Sequence, residues 1–364
     1  MAEQTLNQLF TAASYAERWE ERYPPDSVVG NEFLLRAFFP AVKQWENKLA
    51  MIKGRRKAPI KLSASALDTN TLPLQRGQFE IVEEKMPYYK NFMRADETFV
   101  DAVDDALNSR NDERIKSMVN RVQDDQLNLV NCGLITGDTQ LSQLLTTGAI
   151  AINDNGVKRT FDYGILPEQK VTDNWADVTT SQPMRQIKRW MQERRTASGL
   201  DVNTMVLNST TWLAITESES VRNLLISIPE SGEFLADNRF KQLFMNALKL
   251  DVFLCDDMYN NDVEDVPHIP DGVICLFHRA ADNTAGRYVY AATPAEKSNA
   301  AGRTTYDIAI VETGICLLSD ADNANWDIIE SNLKADMYGL PSFEMADGLV
   351  IATIALPPDP LGTI

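Results

Sequence analysis

The sequence predicts an α+β fold, and three observations carry that prediction. Helical and strand patterns alternate irregularly along the 364 residues, without the regular βαβ succession of a parallel sheet. A long amphipathic stretch beginning near Asn111 runs into an Asn-Gly hairpin that closes on Phe161-Asp162-Tyr163-Gly164-Ile165. The segment 53–95 is rich in Ser, Thr, Pro and Gly, carries strand-like pieces such as Phe79-Glu80-Ile81-Val82, and is long for a loop inside a compact domain. It reads as a projecting, β-rich element.

Taken in order, residues 4–22 form a helix, because Leu6, Leu9, Phe10 and Ala13 make a helical stripe and Tyr23-Pro24-Pro25 stops it. The apolar run Phe33–Phe39 follows, limited by Pro40. Its aromatics either pack on their own domain or form an arm that packs on a neighbouring subunit. Lys53-Gly54-Arg55-Arg56-Lys57 opens the projecting segment as a basic run in an acidic chain. A short helix at 96–110 aligns Phe99, Val103 and Leu107. Asn111 or Asp112 can cap the next helix, since their side chains accept from free helix N–H groups. That helix carries Ile115, Met118, Val119, Val122, Leu129 and Val130 on one side, and Gly137 is its expected stop.

Asn155-Gly156 suits a type I′ turn, in which both central residues need positive φ. With those two in the turn, Asp154 faces Val157, Ile152 faces Arg159, and Ile150 and Phe161 form a cross-strand pair on a buried face. A helix at 183–198 has Pro183 in its first turn and Gly199 as its stop. Thr204–Leu207 is a strand, Thr210 or Thr211 opens a helix, and another helix covers 237–248. Strands then follow at Asp251–Cys255, Val273–His278, Arg287–Ala291, Tyr306–Leu318 and Leu349–Leu356.

The net charge is −17, from 35 basic and 52 acidic residues, which argues against a protein that grips nucleic acid through its phosphates. No apolar run approaches the ~20 residues of a membrane span. Met-Ala-Glu-Gln-Thr has neither a basic nor an apolar leader region, so no signal peptide is expected. Cys132, Cys255, Cys275 and Cys316 are widely spaced in apolar or helical contexts, the pattern of buried thiols rather than of a disulfide framework.

Catalytic signatures fail on inspection. No two glycines stand two apart, which excludes a dinucleotide fingerprint, and Walker spacing is missing as well. Gly133-Leu-Ile-Thr-Gly137 has the spacing of a nucleophile elbow with Ile135 where Ser is needed. Cys275 and His278 are three apart on a strand and point to opposite faces, so they do not converge on a metal. Asp320–Trp326 lacks the Gly and the Glu of a calcium loop. No catalytic residue, metal site or cofactor is expected. Arg185, Lys188, Arg189, Arg194 and Arg195 concentrate positive charge on one helix, and the acid-rich strip Asp256–Asp265 is its partner by charge.

Three stretches resemble the phage lambda major capsid protein family: Leu144–Val157 continuing to Gly164, Val171–Asp177, and Met337–Asp347 followed by the strand Leu349–Leu356. The resemblance implies the Hong Kong 97-type fold of tailed-phage shells, with a Pro-containing turn before the last strand. Its parts would be an N-terminal arm at 1–52, an extended loop at 53–95, a spine helix and peripheral domain at 96–180, an axial domain at 181–319, and a return to the peripheral domain at 320–364. It implies a major capsid protein that assembles as pentamers and hexamers into an icosahedral shell around double-stranded DNA, in the virion after assembly in the host cytoplasm. Implied partners are further copies of itself, scaffold and portal proteins, and in some shells a decoration protein; DNA is enclosed without sequence-specific binding. Interface residues expected on this reading are Phe33, Phe38 and Phe39 in the arm, Arg55, Arg56 and Lys57 opening the loop, and Arg189 and Arg194 at an axial contact. Two alternatives are an encapsulin-like compartment that holds protein cargo, and a carboxylate-dependent metal enzyme using Asp256, Asp257 and Asp320.

Overall fold

A long helix joins two compact units, each built on its own sheet. The structure is a computed structural model and describes residues 11–22, 33–53, 80–95, 102, 105, 112–226, 237–261, 263–304, 306–320 and 331–357. The first unit comprises Met1–Leu49, Glu83–Gln140 and Gly286–Ser342; the second comprises Ala50–Val82, Leu141–Ala285 and Phe343–Ile364. The boundary expected at 319/320 does not coincide with this division. Residues 286–319, expected in an axial domain, belong to the first unit, and 343–364, expected to return to the peripheral domain, belong to the second.

The first unit is organised by the strand Ser331–Ser342. It pairs antiparallel with Tyr88–Ala95 over Ser331↔Ala95 to Tyr338↔Tyr88, with Ile315–Asp320, and with Arg287–Ala291. Ala41–Gln44 adds a parallel edge beside Arg287–Ala291, and Asp307–Val311 closes the other edge, making six strands. The segment read as a Pro-containing turn is therefore largely strand, with Pro341 opposite Tyr288. At that level the strand pairs with Arg287–Ala291 alone, so a missing N–H breaks no second ladder. The turn itself comes later, at Ala346–Gly348.

The single strand expected at Tyr306–Leu318 is a hairpin. Val311 faces Ile315 across the loop Glu312–Gly314, with Glu312 and Thr313 at φ 48° and 68°. Neither residue type signals positive φ, so the pattern read straight through the turn. Gly314 is required by a close approach, since a Cβ there would run into the Tyr290 ring.

The described N-terminal residues pack on this unit. The helix Ala12–Arg22 sets the Ala12 N–H on Asp307 Oδ2 at 2.9 Å and the Trp19 indole N–H on Glu312 Oε1 at 2.8 Å. Phe33, Phe38 and Phe39 are covered within the unit, Phe39 lying against Gly286. The exposed aromatics expected of an arm are thus interior residues here.

The long helix extends further than expected. It runs Asp112–Thr147, 36 residues, or roughly 54 Å at ~1.5 Å per residue. Gly137 lies inside it beside the Tyr288 ring, which a Cβ there would meet at an ordinary 3.4 Å, and does not stop the helix. The stop is Gly148, at φ +80°, whose N–H donates to the Leu144 carbonyl at 2.9 Å.

In the second unit the sheet order is Lys170–Asn174, Val350–Ala355, Val273–Phe277, Thr204–Leu207 and Asp251–Leu254, parallel at both ends and antiparallel between. One sheet face is covered by Trp175, Ile187, Trp190, Trp212, Phe240 and Phe244, with Ile274 and Leu276 beneath them. The helix expected to open at Thr210 or Thr211 begins at Ser209, with Asn208 as its cap accepting from the Thr211 N–H at 2.9 Å.

The Asn155-Gly156 hairpin has the expected register, with Ile150↔Phe161, Ile152↔Arg159 and Asp154↔Val157, and φ of 48° and 78° at the turn. A Cβ at Gly156 would meet nothing within 4 Å, so substitution tests backbone conformation alone. Gly156→Ala is expected to destabilise the subunit by about 1–2 kcal/mol, the left-handed penalty of an L-residue. Urea unfolding measures it, and an unchanged midpoint would refute the assignment.

Candidate assembly surfaces

The basic helix Pro183–Ser198 begins as its sequence directs. Pro183 fills the first turn, and Gly199 ends it at φ 74° with its N–H on the Arg195 carbonyl. Ile187, Trp190 and Arg194 face the core. Arg185, Lys188 and Arg189 stand three and four residues apart on the opposite, exposed face. Arg189 meets Glu193 at 3.5 Å and Arg195 meets Asp201 at 2.9 Å, both exposed pairs of small energetic value. Arg194, expected with Arg189 at an axial contact, is only 7% exposed and lies on the inner side of the helix. Of the two, Arg189 alone presents its charge to solvent.

The acidic strip forms a hairpin, Met258–Asn260 paired with Asp265–Pro267. Its root is tied down: Asp256 accepts from the Ser209 N–H at 2.7 Å and from the Ser209 hydroxyl, and the His268 N–H donates to the Asp257 carbonyl at 2.9 Å. Its tip is held by Asn261, whose side-chain oxygen accepts from the Val263 and Glu264 N–H groups at 3.0 and 2.9 Å. Asp256, Asp257, Glu264 and Asp265 are exposed, and Val263 at the tip is 87% exposed. No Lys or Arg occurs between Leu250 and His278 to offset them.

His268 closes the base of this hairpin. It is buried, its ring lies 5.1 Å from that of Tyr259, and its carbonyl accepts from the Ser142 hydroxyl. Burial holds the imidazole below its ordinary 6.5, and the Asp257 carboxylate opposes that shift. Below 6.5 the unfolded chain takes up this proton before the folded one. The stabilising contribution is therefore full above 6.5 and is lost as pH falls through the folded value. Wild type should lose more stability than His268→Phe between about pH 7.5 and about pH 5.5. Parallel urea midpoints would refute this.

Arg55, Arg56 and Lys57 lie outside the described residues. Sequence reasoning passed over two exposed aromatics of the first unit. Trp45 is 58% exposed in the turn after Ala41–Gln44, and Phe92 is 69% exposed on Tyr88–Ala95. An aromatic in an amphipathic strand reads as core from its pattern, so only the fold reveals such exposure.

Among the described residues no cluster of His, Cys, Asp and Glu could hold a metal ion. Asp256 serves as a structural acceptor for Ser209. Cys275 is fully buried with Sγ 3.2 Å from the Leu145 carbonyl, while His278 Nδ1 meets the Asp201 carbonyl at 2.5 Å. No helix among the described residues is long and apolar enough to cross a membrane.

Of the four cysteines, Cys255, Cys275 and Cys316 are buried as expected, but Cys132 is exposed on the long helix Asp112–Thr147. Burial pushes the Cys316 thiol up to about 12 and raises Cys275 further. A thiol reagent at neutral pH should modify Cys132 alone in the native subunit and all four in denaturant. Rapid native labelling of a second cysteine would refute the burial.

The family described as phage major capsid protein E matches residues 27–313. Among solved structures, a candidate prophage capsid protein of Escherichia coli CFT073 aligns with TM-score 0.60 at 13% identity, covering 97% of this chain and 99% of that one. A phage-related protein of Bordetella bronchiseptica RB50 aligns with TM-score 0.55 at 9% identity, covering 94% and 97%. At these identities the likeness is one of fold. Comparison with curated proteins returned no match.

Proposed function

The chain belongs to the phage major capsid protein E family, and from that premise we propose that it builds the closed icosahedral head of a tailed phage. Its role is structural rather than enzymatic. In this reading subunits form pentamers and hexamers by repeating one head-to-tail contact, which closes into rings. The shell assembles in the host cytoplasm with scaffold and portal proteins and then holds double-stranded DNA in the virion. The net charge of −17 lets packaged DNA slide along the wall instead of sticking to it. The axial role is proposed for 181–319, of which 286–319 fall in the first unit. Arg55, Arg56 and Lys57 retain their proposed role at the base of the extended loop.

The family match over most of the chain carries this reading. Electron microscopy of the purified protein, alone and co-expressed with neighbouring genes, tests it. Shells, tubes or five- and six-membered rings are expected, with nucleic acid inside filled particles. Protein cargo inside would mark a compartment, and a uniform monomer or dimer in every condition would overturn the shell.

A further inference from the structure

We propose that the acidic hairpin of one copy docks on the Arg185, Lys188 and Arg189 face of the next, and that this contact sets the ring. The inference rests on the shell reading above and names the partner surfaces within it. The two surfaces are opposite in charge and both exposed. Among the described residues no ion pair joins them within a subunit, and Lys188 and Glu264 have no ion-pair partner at all. Both are also held in shape. The helix face is fixed by Ile187 and Trp190 in the core behind it, and the hairpin by its Ser209, Asn261 and His268 hydrogen bonds. Preorganised surfaces lose little entropy on docking. The tip adds Val263, and the hairpin's first strand adds Met258 at 58% exposure, giving the charged rim apolar surface to bury.

The two patches are different, so the contact is heterologous: each subunit offers a hairpin to one neighbour and a helix face to the other. At physiological salt its attraction acts over about 8 Å, so it selects close docking geometry and weakens as salt rises.

A charge-swap series in the full chain, co-expressed with its neighbours, tests this. One variant is Lys188→Glu with Arg189→Glu, making both patches acidic. The second is Glu264→Lys with Asp265→Lys, which puts two lysines beside the Val263 tip to face Lys188 and Arg189 of the next copy. All four substitutions together exchange the charges at these four positions. Each double variant should keep the wild-type melting curve and lose shells on electron microscopy, while the fourfold variant regains them. An equimolar mixture of the two double variants gives a sharper readout. Head-to-tail rings can then alternate only with even membership, so hexameric tubes or sheets should form without closed, pentamer-bearing shells.

Wild-type assembly by either double variant overturns the contact, as does closed-shell formation by the mixture. If the fourfold variant folds but does not assemble, the contact is likewise overturned. If wild type itself forms no ring, tube or shell under the same conditions, it is the shell reading that fails.

Discussion

Arg36→Met is expected to destabilise the subunit by about 3–5 kcal/mol, the cost of removing a buried charge from the vicinity of an opposite one. Arg36 is 4% exposed on the short helix Leu34–Ala37. It donates to the Tyr290 hydroxyl and lies over the Tyr288 and Tyr290 rings, 5.3 and 5.7 Å from their centroids. Burial opposes its charge, but Tyr290, Tyr288 and the Asp138 carboxylate hold the guanidinium protonated. Asp138 is itself 1% exposed on the long helix Asp112–Thr147. Methionine fills much of the same volume but removes the guanidinium's attraction for that buried carboxylate. Adding Asp138→Leu should recover a large part of the loss, because an apolar pair of similar size avoids the desolvation penalty. Urea unfolding of the four species forms a double-mutant cycle. Additive losses would show that the two residues do not act as a pair.

Trp190→Ala should cost about 3–5 kcal/mol, the range for truncating a large buried aromatic. Trp190 is 1% exposed and stacks with Trp175 at 6.4 Å and 11°. It anchors the helix whose outer face carries Arg185, Lys188 and Arg189. Loss of the ring should loosen that face and reduce shell yield along with stability. Trp190→Phe should cost less than the Ala change. The Trp190 indole N–H is buried without a hydrogen-bond partner among the described residues, and Phe removes that polar group. Chemical denaturation and electron microscopy read both variants, and equal losses for Ala and Phe would refute the packing argument.

The candidate surfaces show how far residue patterns reach. The basic character of 183–198 and the acidic character of 256–265 are visible in composition, and each turned out to be a defined element. Which arginines point outward was less visible: Arg189 is exposed and Arg194 is not, although both are plausible on a charged helix. Phe33, Phe38 and Phe39 carry the same lesson. Their composition suits an arm as well as a core, and in the folded subunit all three are buried.

What the sequence determined by itself is what depends on neighbours a few residues away. The Asn155-Gly156 turn and its register, and the Pro183 and Gly199 ends of one helix, follow from local backbone preferences. Tertiary structure decided the remainder. Gly137 sits inside the helix, which continues past it to Thr147, and Pro341 stays in a strand because its partner lies at 287–291. Glu312 and Thr313 hold positive φ in the loop where the two paired strands Asp307–Val311 and Ile315–Asp320 reverse. For Pro341 the deciding pairing lies far away along the chain, outside any short window of sequence, whereas the reversal at 312–314 is local but made by residue types that do not announce positive φ.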